Sequence, residues 1–280
     1  MHHWVKNILV FIPAVANHSI LEEESILSGS ITFILFALAA SCIYLVNDLL
    51  DLDSDRKHLT KRFRPLAAGE IKESQAIFFA IFLMMVVSVL AFIFMPDLIP
   101  ILCLYAFLNL GYSIRLKTIP ILDVIILALM YEIRVIAGGI SMDIELSTWL
   151  ISSSSFFFLS MAFAKRYSEL ANITSNSGPI NDRRGYKKED ISTLQILGIV
   201  SGFSCILIFN LYINDPETLS QYSQPRTLMF LLPILLYVLC KKWLGVSRNE
   251  TTEDPVVDFF TDRFTLLAVP VFLIILVSAI

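Results

Sequence analysis

Residues 44–69 read YLVNDLLDLDSDRKHLTKRFRPLAAG, and the rest of the chain is best understood outward from them. The stretch leaves an apolar run at Tyr44, passes through Asn47, Asp48, Asp51, Asp53 and Asp55, and changes sign at Arg56, Lys57, Lys61, Arg62 and Arg64. If the helix of the apolar run continues through Asp55, a turn of about 100° per residue puts Asn47, Asp48, Asp51 and Asp55 within an arc of roughly 100° and points Asp53 away. Three carboxylates so spaced repel one another unless a cation sits among them. Hard oxygen donors with no nearby cysteine or ligand-spaced histidine suit Mg²⁺, which is usually held by one or two carboxylates while substrate phosphates complete its shell. The basic residues that follow suit those phosphates, with arginine favouring bidentate contacts. The stretch therefore points to a magnesium–diphosphate site at a membrane surface. A solvated loop that only helps set topology is the plainer account of the same charges. A calcium loop is excluded: Asp51-x-Asp53-x-Asp55 imitates its start, but the sixth and twelfth positions, which require Gly and Glu, are Arg56 and Arg62.

The surrounding chain is too apolar for an ordinary soluble domain. Its 280 residues are 56% hydrophobic and 16% charged, with a mean hydropathy of +0.72. The formal net charge of −4 says little about partners because the charges are segregated, and no nucleic acid is expected among them. Nine apolar segments bounded by charge, Pro or Asn emerge: 4–16, 26–46, 75–94, 98–114, 119–140, 146–164, 194–213, 227–244 and 265–280. Most approach the roughly 20 residues that cross a bilayer. The expectation is an all-α membrane protein, a bundle of nine transmembrane helices forming a single polytopic domain over residues 1–280. The opening MHHWVKNILVFIPAVA resembles a secretory leader at Ala14-Val15-Ala16, but with Lys6 its only formal charge and Pro13 inside the run it reads better as a retained first helix. Cys42, Cys103, Cys205 and Cys240 lie in or at the ends of apolar segments without metal-ligand spacing, so buried thiols are expected.

Loop charge supplies orientation. Nineteen of the 21 lysines and arginines fall at Lys6 or in the loops 56–72, 115–117, 165–188 and 241–263, whereas the alternate loops are acidic and hold Arg226 as their cation. The positive-inside rule then places the N-terminus and the basic loops in the cytoplasm. Within the spans, Arg134 stands out, because an arginine at a helix centre costs about 2.5–3.5 kcal/mol on insertion scales and normally faces a polar cavity or a partner. A snorkelling structural arginine is the plainer alternative. Asp123 lies three helical turns earlier on the same face, and Gly138 and Gly139 permit close backbone approach. Glu132 diverges from Arg134 on the helix and has no evident role. Lys165, Arg166 and Glu169 close the sixth span, before a loop bearing Arg183, Arg184 and Tyr186. A Lys165–Glu169 helical pair is the bland account of that cluster, and a phosphate clamp the sharper one.

Taken together, these motifs resemble the UbiA superfamily of intramembrane prenyltransferases. Asn47-Asp48-x-x-Asp51-x-x-x-Asp55 is similar to its first Asp-rich motif. Within it, the decaprenyl-phosphate phosphoribosyltransferase family is the nearer likeness. That likeness rests on Trp4-Val5-Lys6-Asn7, the stretch from Asn47 to Gly69, Tyr112-Ser113 with Leu116-Lys117, Leu122-Asp123 and Arg134-x-x-Ala137-Gly138-Gly139. Lys165-Arg166-Tyr167-x-Glu169-Leu170, Arg183-Arg184-x-Tyr186 and Asp254-Pro255 extend it. Aromatic prenyltransferases of the superfamily carry a second DxxxD motif after the sixth helix, where this chain has Lys165, Arg166 and Glu169 instead. Leu59 stands where the nearer family often has proline.

The resemblance implies nine helices, a bacterial inner-membrane location and an active site facing the cytoplasm. It also implies transfer of 5-phosphoribose from 5-phosphoribosyl 1-diphosphate to a polyprenyl phosphate for cell-envelope lipid-linked sugars, with Mg²⁺ as cofactor and possible homo-oligomers. The expected metal ligands are Asn47, Asp48, Asp51 and Asp55, and the catalytic set adds Arg134, Lys165 and Glu169. Lys61, Arg62 and Arg64 are expected on donor phosphate. Lys165, Arg166, Arg183, Arg184 and Tyr186 are expected on the other phosphate or the acceptor, and Arg134 and Lys117 are candidates to orient the lipid phosphate. Tyr112 and Asp123 complete the binding set. Other readings remain open: a related enzyme with a prenyl diphosphate donor, a non-catalytic polyprenyl-phosphate carrier, and a structural subunit.

Overall fold

Each of the nine apolar segments lies on a helix, and there is no strand among the described residues, which in this computed structural model are 4–56, 61–175, 184–248, 250 and 263–279. In chain order the helices are α1 (Val5–Ala16), whose first turns are 3₁₀, α2 (Glu23–Leu50), the single turn α3 (Leu52–Asp55), α4 (Glu73–Phe94), α5 (Ile99–Ile114) and α6 (Leu122–Ser141). They continue as α7 (Thr148–Ser175), α8 (Ile191–Tyr212), the short α9 (Pro216–Gln221), α10 (Leu231–Ser247) and α11 (Arg263–Ala279). Nine spans do not follow from nine apolar segments. Six helices among the described residues are long and apolar enough to cross a membrane: α2, α4 and α6, and, counted with their leading 3₁₀ turns, α5 (Pro96–Ile114), α8 (Lys188–Tyr212) and α10 (Pro225–Ser247). α1 and the apolar part of α11 are too short, and α7 is diluted by its serines and by the charged turns beyond Ala164. Those six helices fit an integral membrane protein.

The chain gathers into two compact units, one of residues 1–126 and 133–146, the other of residues 127–132 and 147–280. In the first, α4 shows how a lipid-facing helix is built. Its buried positions are Ala76, Ala80, Val87 and Ala91, a stripe of small side chains, while Phe78, Phe82, Met85 and Phe92 are exposed. Small residues let backbones approach where hydrocarbon offers no hydrophobic drive to pack helices. At that contact the Cys42 thiol of α2 donates to the Ala80 carbonyl across 3.2 Å. Cys103 and Cys240, expected to be buried, are exposed on their helices; a thiol is apolar enough to lie on a lipid-facing surface. α6 meets α1 more closely still: a Cβ on Gly138 would collide with the Val10 carbonyl oxygen and lie 2.9 Å from the carbonyl carbon, both backbone atoms that cannot swing away. Ahead of α6, the Leu122 amide donates to the Pro120 carbonyl at 2.8 Å across Ile121, whose φ is 68° and ψ −45°. This is a γ-turn of the strained hand. It reverses the chain between Lys117 and Asp123.

In the second unit Ser160 of α7 ties three helices together. Its hydroxyl donates to the Gly198 carbonyl of α8 at 2.7 Å and accepts from the Trp243 indole of α10 at 3.1 Å. Gly198, Ser201 and Gly202 form a small-residue face of α8, where both glycines pack against α7 and α10, beside buried Leu194. Glu132, without a role from sequence, belongs to this unit, where Ser154 of α7 donates to its Oε1 at 2.7 Å.

Candidate active site

The acidic edge of the first unit forms where α2 ends. Asp51 is the C-cap of α2, with φ −93° and ψ 4°, so the helix expected to run unbroken through Asp55 is interrupted there and resumes as α3. The i→i−4 pattern survives the break, since the Asp51 amide bonds the Asn47 carbonyl at 2.9 Å and the Asp55 amide bonds the Asp51 carbonyl at 2.8 Å. Asn47, Asp48, Asp51 and Asp55 therefore keep one edge. The Asp53 side chain is 96% exposed and points away, as its position on the helix wheel requires.

Each member of that edge meets a donor from elsewhere in the unit. Arg64 Nη1 bridges Asp48 Oδ1 at 2.8 Å and Asp55 Oδ2 at 2.7 Å. Lys117, in the turn between α5 and α6, lies 3.3 Å from both oxygens of Asp51. Ser113, on the last turn of α5, donates to Asn47 Oδ1 at 2.6 Å. Arg56 pairs with Asp53 and with Glu73 at the start of α4, and the Arg62 guanidinium lies over the Phe63 ring at 4.8 Å. Tyr112 is half-buried beside Ser113. The side chain of Lys61 lies outside the described residues.

Among the described residues, no group of three or more His, Cys, Asp or Glu converges tightly enough to hold a metal alone. The donor set nevertheless fits Mg²⁺. That ion is commonly held by one or two carboxylates with phosphate oxygens and water as its other ligands, so an all-protein cage is not needed. Asp48 and Asp51 retain about a third of their side-chain exposure, which leaves them open to such a complex.

Arg134 faces polar partners inside the first unit rather than snorkelling to an interface. It is 5% exposed, its Nε donates to Asn7 Oδ1 at 2.9 Å, and its Nη2 donates to the Tyr105 hydroxyl at 2.8 Å. The guanidinium also stands 4.9 Å from the Tyr105 ring centroid and 5.9 Å from that of Phe36, where cation–π attraction adds to the hydrogen bonds. Asp123 is fully buried in the first turn of α6, where the helix dipole favours a carboxylate.

In the second unit, Lys165, Arg166 and Glu169 sit on α7, which runs to Ser175 rather than ending at Ala164. The Lys165–Glu169 pair, the plainer of the two accounts of this cluster, is not what Glu169 forms. One oxygen of Glu169 receives both Arg166, 2% exposed, and Arg184, the latter at 2.8 Å. Two guanidinium groups therefore share one carboxylate oxygen. Lys165 is half-buried, and Tyr186 is buried two residues beyond Arg184. Arg183 lies outside the described residues, as does the Asp254-Pro255 loop. Sequence reasoning missed Ser113, Tyr105 and Asn7 as functional partners. Ser113 and Asn7 stand within motifs whose other residues carry the charge, and Tyr105 sits in an apolar run that gives no polar signal.

Comparison with known proteins bears on this geometry. The profile of the UbiA prenyltransferase family matches residues 10–275. Over 246 residues the chain is 32% identical to the decaprenyl-phosphate phosphoribosyltransferase of Mycolicibacterium smegmatis, covering 84% of this chain and 77% of that one. It is also 32% identical over 266 residues to the uncharacterized protein y4nM of Sinorhizobium fredii, covering 94% of this chain but 51% of that protein, so it spans about half the length of this relative. Among solved structures, a UbiA homolog from Archaeoglobus fulgidus bound to GPP and Mg²⁺ superimposes with a TM-score of 0.58 at 16% identity, covering 97% of this chain and 96% of that one. That level of identity speaks for the fold.

Proposed function

The chain belongs to the UbiA prenyltransferase family, and from that premise we propose that it transfers 5-phosphoribose from 5-phosphoribosyl 1-diphosphate to a polyprenyl phosphate in a bacterial inner membrane, releasing diphosphate. The whole chain would act as one transferase domain with its site toward the cytoplasm. The observation that carries the choice of donor is the end of α7. Where aromatic prenyltransferases of the superfamily have a second acidic pair, this chain has buried Arg166 and half-buried Arg184 on Glu169. Such a centre suits an additional phosphate better than a second metal. The activity named for the Mycolicibacterium relative supports the same choice.

In this reading Asp48, Asp51 and Asp55, with Asn47, hold Mg²⁺ on the diphosphate of the donor. When bound, the ion would stabilise negative charge on the departing diphosphate. Lys61, Arg62 and Arg64 bind donor phosphate, and Lys165, Arg166, Arg183, Arg184 and Tyr186 take a further phosphate. Glu169 positions the two arginines that share it. An oxygen of the lipid phosphate attacks C1 of the ribose as the C1–O bond to diphosphate breaks and its electron pair leaves with the diphosphate. In-line displacement inverts C1. The attacking phosphate is already ionised, so no strong general base is required.

The test is a donor screen on purified protein with polyprenyl phosphate, read by mass spectrometry of the lipid. With 5-phosphoribosyl 1-diphosphate the lipid should gain one phosphoribosyl group, and with prenyl diphosphates it should remain unchanged. Prenylated product, with no phosphoribosylated lipid, would contradict the proposal.

A further inference from the structure

Every expected metal ligand on the α2–α3 edge is already engaged by a donor of this chain, and two of the donors are cations from separate turns. Arg64 bridges Asp48 and Asp55 at 2.8 and 2.7 Å, and Lys117 lies 3.3 Å from both oxygens of Asp51. Three carboxylates against these two cations leave a formal charge of −1. A metal ion arriving alone therefore meets carboxylates that are largely neutralised, with two positive groups within hydrogen-bond distance of its ligand atoms. A metal arriving with diphosphate meets a different balance. The phosphate oxygens offer the cations new partners while the carboxylates turn to the metal, so no charge is left bare.

We infer that Arg64 and Lys117 are exchangeable counter-ions: they neutralise Asp48, Asp51 and Asp55 in the free protein and pass to the phosphates when a metal diphosphate binds. The inference rests on the proposed diphosphate site, and it assigns Lys117 to the donor end rather than to the lipid phosphate. Its consequence is coupling. Metal and diphosphate each raise the affinity for the other by the same factor. Each cation competes with the metal and also binds the phosphate, so removing one moves two affinities in opposite directions. A fixed cation that never changes partner moves both affinities in the same senses through space alone, but salt screens that part, so the exchange is read from the shifts that persist at high ionic strength.

Lys117→Met in the full chain tests this directly. Mn²⁺, standing in for Mg²⁺, is titrated without diphosphate and followed by the electron paramagnetic resonance of the free ion. Inorganic diphosphate is then titrated calorimetrically at saturating Mg²⁺. Relative to wild type, Mn²⁺ alone should bind about 5-fold tighter or more, and diphosphate about 5-fold weaker or more, a coupling of ordinary size. If diphosphate binding is magnesium-dependent in the wild type but the two affinities fail to move in opposite directions, the exchange is overturned and the proposed site stands. No magnesium-dependent diphosphate binding in the wild type would overturn both. Arg64→Gln carries the same expectation and serves if Lys117→Met does not fold.

Discussion

Asp51→Asn should slow phosphoribosyl transfer by about 10²–10³-fold, the loss typical when one group that stabilises developing charge is removed. The substitution preserves size and the helix-capping position, and it removes the charge that, in the proposed function, would hold a metal diphosphate. The fold should tolerate it. Asp51 keeps 34% of its side-chain exposure and pairs with Lys117 at 3.3 Å, and partly exposed pairs of this kind contribute about 0–1 kcal/mol. Initial rates across a magnesium titration, with thermal unfolding measured in the same detergent, separate the two effects. A folded variant with the wild-type rate at saturating Mg²⁺ would remove Asp51 from the site.

Arg134→Met should lower stability by about 3 kcal/mol, because two hydrogen bonds from a charged donor are lost and buried acceptors remain behind. Those acceptors are Asn7 of α1 and the Tyr105 hydroxyl of α5, at 2.9 and 2.8 Å. Arg134→Lys should recover only part of the loss, since one ammonium on a flexible stem does not reproduce a planar guanidinium that reaches α1 through Nε and α5 through Nη2. Unfolding midpoints of the three proteins in one detergent check the order. Had Arg134 merely snorkelled to an interface, both substitutions would fall within about 0.5 kcal/mol of wild type.

The helices were legible in the sequence because an apolar run must satisfy its backbone internally once it is placed in lipid. Counting spans was less secure. Apolar length alone overvalued α1 and α11, and in α7 the serines and the charged turns beyond Ala164 lower the hydropathy of a helix that forms all the same. The acidic edge followed from periodicity, which is local. Its partners are not local: Lys117 lies 66 residues from Asp51, and Ser113 66 residues from Asn47. Only the packing of α5 beside α2 brings them together. Sequence likewise suggested the nearest acid, Glu169, as a partner for Lys165, whereas burial favours the planar guanidinium of Arg166 on that carboxylate.

The central claim is that the acidic edge grips the metal-bound diphosphate of a phosphorylated sugar donor. Its most direct test is diphosphate release from 5-phosphoribosyl 1-diphosphate by purified protein, with Mg²⁺ and polyprenyl phosphate each supplied or withheld. The account predicts rapid release only when both are present. Release that is indifferent to Mg²⁺, or no release with both supplied, would contradict it.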